Sequence, residues 1–137
     1  MSQLSADTVQ AFEIGSDTTT LPVKDNVTIY RGSAVGLSAG YARQLVAGDL
    51  FGGFAEQKVD NTVTGHADGF KNVPVRRRGF VQLTLATVAV TNIGADVYAS
   101  DGNTYTLDPA GGANSFIGKV HRYISSTSAI VAFDLTN

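Results

Sequence analysis

The sequence predicts an all-β protein: a small compact β-barrel or β-sandwich with little helix, preceded by an extended N-terminal arm. Three observations predict it. Short runs rich in Val, Ile, Phe, Tyr and Thr are cut at close intervals by Gly, Asp, Asn and Pro. No amphipathic helical pattern lasts longer than two turns. A pattern of glycines, valines and aromatics occurs twice along the chain.

In chain order, residues 1–20 lean polar and end in SDTTT, which predicts an arm that becomes ordered only against a partner. Within it, Val9, Ala11 and Glu13 alternate with Gln10, Phe12 and Ile14, a pattern able to add a strand to a partner's sheet edge. Residues 21–137 form the single domain. Strands are expected at Val27–Tyr30, Tyr41–Leu45, Phe51–Val59, Val73–Leu85, Asp96–Ala99, Tyr105–Leu107, Phe116–Ile124 and Ala129–Leu135. β-branching at Thr84, Thr87, Val88 and Val90 favours an extended chain over a helix there. Residues 64–69, TGHADG, read as an exposed loop. Asp101-Gly102 predicts a hairpin turn with positive φ angles.

The repeat relates residues 32–55 to residues 94–120. Gly32 answers to Gly94, Val35 to Val97, Tyr41 to Tyr105, Phe51 to Phe116 and Gly53 to Gly118. The spacing is 62 residues at the start and 65 at the end, and the extra residues fit the loop PAGGA. Each unit reads as a hairpin followed by a longer strand. Alone, each would leave an apolar face uncovered, so packing together or closing into a barrel is expected.

Composition narrows the function. The chain has 137 residues, enough for one domain with its own core. Only 16% are charged, against about 25% in ordinary soluble domains. A surface short of charge suits contact with other protein. The net charge of −2 argues against a nucleic-acid partner, which usually selects a basic excess. No cysteine is present, so disulfides and thiol chemistry are absent. No run of 18 apolar residues predicts a membrane span, and the first residues lack a secretory pattern, so cytoplasmic synthesis is expected.

Arg76, Arg77 and Arg78 stand inside the long strand expected at Val73–Leu85. Strand alternation sends Arg76 and Arg78 to one face and Arg77 to the other, with Val73, Val75, Val81, Leu83 and Leu85. On the apolar side, Arg77 needs a carboxylate or carbonyl partner; a bulge at Gly79 would instead reverse the parity and turn it outward. A strand cannot present three adjacent arginines as one phosphate-binding face. They are expected to form an oligomer interface, meeting Glu13, Glu56 or Asp134 of a neighbour; the alternative is a solvated barrel rim with packed stems and wet heads.

Nothing in the chain marks an enzyme. His66 and Asp68 share the exposed loop and His121 lies in an expected strand, which is not a recognisable ligand set, so no metal or cofactor is expected. There is no Gly-x-Ser-x-Gly elbow and no phosphate loop. Tyr30, Tyr41, Tyr98, Tyr105 and Tyr123 would serve a carbohydrate- or host-binding module on a virion if exposed, though most fall at core positions.

Gly94–Leu107 (GADVYASDGNTYTL) and Asn114–Val120 (NSFIGKV) resemble the capsid decoration, or cement, proteins of tailed bacteriophages. Arg76–Leu83 resembles that family's strand of the form V-R-x-x-G-V-x-E-L, with Gln82 where an acid is expected, and Ala129–Asp134 resembles its closing strand. The resemblance spans roughly residues 21–134. It implies a β-tulip-like barrel, a homotrimer, and a place on the outer surface of the assembled head. There the partner would be the major capsid protein, clamped against the pressure of packaged DNA.

Overall fold

The computed structural model describes Ala6 and residues 17–135; the arm segment Val9–Ile14 lies outside the described residues. The described part is all-β. Its strands are β1 (Thr18–Pro22), β2 (Thr28–Ile29), β3 (Ala34–Ser38), β4 (Tyr41–Gln44), β5 (Leu50–Ala55), β6 (Val59–Asp60), β7 (Asn72–Arg76), β8 (Arg78–Thr84), β9 (Asp96–Asp101), β10 (Thr104–Thr106), β11 (Ser115–Ser125) and β12 (Ser128–Asp134). Two five-stranded antiparallel sheets result, ordered β1-β7-β5-β3-β4 and β10-β9-β11-β12-β8, with β2 and β6 as a separate pair.

Read in spatial order, the second sheet repeats the first. Its strands β8, β9, β10, β11 and β12 take the places of β1, β3, β4, β5 and β7. The registers agree residue by residue. Val35 faces Gly53 as Val97 faces Gly118; Gly36 faces Phe51 as Tyr98 faces Phe116. The same bulge interrupts both ladders, at Gly52 and at Ile117. The entry turns match as well: the Gly32 N–H donates to the Ala55 carbonyl at 2.9 Å, and the Gly94 N–H to the Val120 carbonyl at 2.8 Å. Each sheet curls until its outer strands touch, through a parallel bridge of Val23 to Ala42 in one and of Leu85 to Tyr105 in the other. The chain is thus two small barrel-like units in tandem.

Within each unit, Gly53 and Gly118 are required by a close approach. A Cβ on Gly53 would sit 2.5 Å from the Arg76 carbonyl oxygen, at a φ of +119°; a Cβ on Gly118 would collide with the Ala132 carbonyl. The first unit is filled by Val23, Ile29, Val35, Ala42, Ala55, Val59, Val73 and Val75. The second core takes Leu83, Leu85, Val97, Val120 and Val131, and extends across the junction to Phe51 and Phe54 of the first unit. A longer connection between β5 and β7 distinguishes the first unit. Its anchor is the buried Asn61, whose Nδ2 donates to the carbonyls of Lys24 (3.0 Å) and Ala67 (3.2 Å).

Several sequence expectations need correction. Val73–Leu85 is not one strand: Arg77 separates β7 in the first sheet from β8 in the second. The domain begins before residue 21, because the β-branched Thr18, Thr19 and Thr20 pair with Arg76, Val75 and Pro74 in β1. Phe51–Val59 likewise breaks into β5 and β6, and β3 is a strand that its Ala, Gly and Ser content concealed. By register Tyr105 corresponds to Ala42, not Tyr41, because β9 and β10 carry one extra bulged residue. The hairpin after β9 turns at Gly102-Asn103 without positive φ. The Asp101 carboxylate accepts from the Asn103 N–H (2.8 Å) and the Thr104 hydroxyl (3.0 Å) to hold it. Gly102 is small for another reason: a Cβ there would lie 3.2 Å from Gln44 of the other unit.

Gly53→Ala and Gly118→Ala should each lower stability by about 1–3 kcal/mol, read as the urea midpoint. Gly32→Ala has positive φ but open space around it, so it should cost about 1 kcal/mol from backbone strain alone.

Candidate functional site

The arginine triplet is where the chain passes from one unit to the other. Alternation runs straight through it: Arg76, Arg78, Phe80, Gln82 and Thr84 are exposed, while Val73, Val75, Leu83 and Leu85 are buried and Arg77 is half-buried. Arg77 therefore faces the apolar side, and it has the carbonyl partner such a position demands. Its Nη2 donates to the Leu135 carbonyl at 3.3 Å, while Nε is buried and finds no partner among the described residues. The backbone is tied on both sides. The Arg77 N–H donates to the Asp17 carbonyl at 2.6 Å, and the Arg77 carbonyl accepts from the Leu135 N–H at 2.8 Å.

The flanking arginines pair within the chain. Arg76 Nε donates to Glu56 Oε1 at 3.0 Å, and Arg78 Nε lies 3.6 Å from Asp17 Oδ1. Arg76 and Glu56, both expected at an oligomer interface, thus satisfy each other in one molecule. The triplet fastens the first described strand, the junction and the end of the last strand at one corner.

The two units meet beside that corner. Phe133 of β12 packs edge-on against Phe51 (centroids 6.2 Å apart) and Phe54 (4.9 Å), and Phe54 also approaches Tyr105 at 6.3 Å. Burial pushes the Tyr105 hydroxyl up to about 12. Polar contacts flank the rings: Ser115 Oγ donates to the Asp49 carbonyl at 2.6 Å and accepts from the Gly48 N–H at 3.1 Å. The Asp49 side chain braces this loop. It accepts from Arg43 at 2.8 and 3.0 Å and from the Val46 N–H at 3.0 Å. Burial alone would raise the Asp49 carboxyl; the Arg43 hydrogen bond, the Val46 N–H and the Arg43 charge outweigh it and hold the group below its ordinary range.

The outer wall of the second unit carries what the sequence reading did not find. Phe80 and Phe116 are 67% and 52% exposed and flank an open groove of about 400 Å³, lined also by Arg78, Lys119, Ala132 and Leu135. Phe80 leans on His121 at 4.5 Å and Phe116 on Tyr98 at 5.9 Å. Lys119 pairs with Asp96 at 2.6 Å on the same wall. One signal was present in the sequence: Phe80 shares strand parity with Arg76, Arg78, Gln82 and Thr84, all outward residues. Phe116 gave none, since the bulge at Ile117 breaks the alternation.

The remaining candidates are dispersed. His66 stacks on Phe70 at 3.8 Å, and Asp68 accepts from the Asp25 N–H at 2.8 Å, so both brace a loop. Among the described residues no three His, Cys, Asp or Glu side chains gather to hold a metal ion. No helix there is long and apolar enough to cross a membrane. Of the tyrosines, Tyr105 is buried and Tyr30 is exposed beneath the Lys58 ammonium at 5.2 Å. Gln82, where the resemblance led to an acid, donates to Ser128 Oγ at 3.0 Å across the strand pair. No protein-family model, curated protein or solved structure matches the chain.

Because the Asp49 carboxyl is held low, its stabilisation is present above the ordinary carboxylate range near pH 4 and is lost as pH falls through the lowered value. Asp49→Asn should therefore flatten the fall in melting temperature below about pH 4, while lowering stability at pH 7. The exposed Arg76–Glu56 pair should show a coupling of only about 0.2–1 kcal/mol in a double-mutant cycle at pH 7.

Proposed function

We propose that the protein is a structural component of a tailed-phage virion, a decoration protein that binds the outside of the assembled head and stabilises the shell against internal pressure. The observation that carries this reading is the resemblance of residues 94–107 and 114–120, which make up β9, β10 and the first half of β11. The physics of the fold supports it. Two curled sheets joined by a core that runs across their junction make a stiff body, and cementing a shell calls for stiffness. A lightly charged surface with exposed rings suits broad protein contact more than capture of a small molecule. Weak contacts repeated over many copies multiply in avidity.

In this reading the partner is the major capsid protein, the protein acts as a homotrimer, and Val9, Ala11, Phe12, Glu13 and Ile14 bind the capsid by strand addition. The arm is best defined as residues 1–16, since Thr18–Thr20 are part of β1.

The test is co-sedimentation of purified protein with expanded and unexpanded heads built from the capsid protein of its own phage. Expanded heads should be decorated and unexpanded ones left bare. Removing residues 1–16 should weaken decoration at least tenfold with the melting temperature kept. Failure to bind either kind of head would overturn the function. Undiminished binding of the shortened chain would overturn the role of the arm.

A further inference from the structure

The two units touch in a head-to-tail manner. The first contributes Ala34, Val46, Gly48, Asp49, Phe51 and Phe54. The second contributes a different surface: Asp101, Gly102, Tyr105, Ser115 and Phe133. The two lists are not counterparts under the repeat. Phe51 corresponds to Phe116, whereas its partner Phe133 corresponds by register to Arg77. A contact made by two different faces of one repeated unit leaves one copy of each face unused at the ends.

Both unused faces are visible. Phe51 is 3% exposed because the second unit covers it; its counterpart Phe116 is 52% exposed. Ser115 is 4% exposed because the first unit covers it; its counterpart Leu50, opposite Leu37 as Ser115 is opposite Ala99, is 71% exposed. Two large apolar side chains thus stand open at the two positions whose counterparts are sealed inside the chain.

From this we infer that a second copy of the chain continues the contact: the Phe116 wall of one molecule receives the Leu50 edge of the next, with the arginine corner of that next molecule at its rim. Transferring the internal contact places the Arg77 position of the incoming molecule where Phe133 stands against Phe51, beside the exposed Phe116 ring. Phe80, across the groove from Phe116, widens the apolar seat. A contact of this kind between different faces propagates and closes into a ring where the rotation per unit allows. The inference rests on the repeat and its burial pattern, independently of the virion reading, and is tested on free protein.

Phe116→Asp spoils one face and Leu50→Asp the other; both residues are exposed, and circular dichroism melts serve as the check that each variant folds. In analytical ultracentrifugation at about 100 μM, the native protein should associate and each folded variant should be monomeric, its association weakened at least tenfold. Mixed one to one, the variants should form a heterodimer that grows no further, since each retains the face the other lacks. A monomeric native protein would overturn the proposal. So would a native oligomer that either variant leaves intact, or a mixture without heterodimer, which points to a symmetric contact. If Phe116→Asp leaves the mass unchanged but speeds proteolysis within residues 1–16, the wall belongs to the chain's own arm and the proposal falls.

Discussion

The structure depends on one wedge. Phe133, near the end of the last strand, stands between Phe51 and Phe54 of the first unit. The two curled sheets have largely separate ladders, so the ring cluster, the Ser115–Asp49 hydrogen bonds, the Ala34–Gly102 backbone hydrogen bond and the Val46–Asp101 bridge fix their relative position. Aromatic side chains suit that task, because each removes a large apolar area from water and edge-on packing restricts the angle between neighbours. The register of β12 against β8 sets where Phe133 stands, and the Arg77 corner pins both strands at the same end.

The arginines take their meaning from this junction. In an extended strand, three adjacent cations would repel one another and spread over two faces. At a crossover they do something else. Arg77 turns inward to a carbonyl, Arg76 reaches back to Glu56, and Arg78 reaches further back to Asp17. Their contribution to stability is modest where they are exposed, since solvent screens such pairs. Their geometric contribution is larger: the beginning, middle and end of the described chain are held at one place. That arrangement also brings Arg78 to the rim of the Phe80–Phe116 groove.

Duplication explains why the surface has open rings. A unit that packs on its own copy must carry the two complementary faces, and a chain with two units uses only one pair. In the second unit the outer face still carries Phe116, although Lys119 stands where the first unit has the buried Phe54. The face is therefore partly polar around an exposed aromatic centre.

By itself the sequence determined the class of structure, the twofold repetition and the opposite facing of Arg77 and its two neighbours. Each of these is written in local rules: β-branched runs cut by glycine, matched spacings around Gly32 and Gly94, and period-two alternation about the arginines. Only the tertiary structure decided where the long Val73–Leu85 stretch breaks, since a strand leaving one sheet and entering another keeps its alternation and shows no interruption in the pattern. The same is true of Phe51 and Phe116. The two are one residue type in one repeated register, and their opposite burial is set by whether another unit lies against them, a property of assembly that no local pattern encodes.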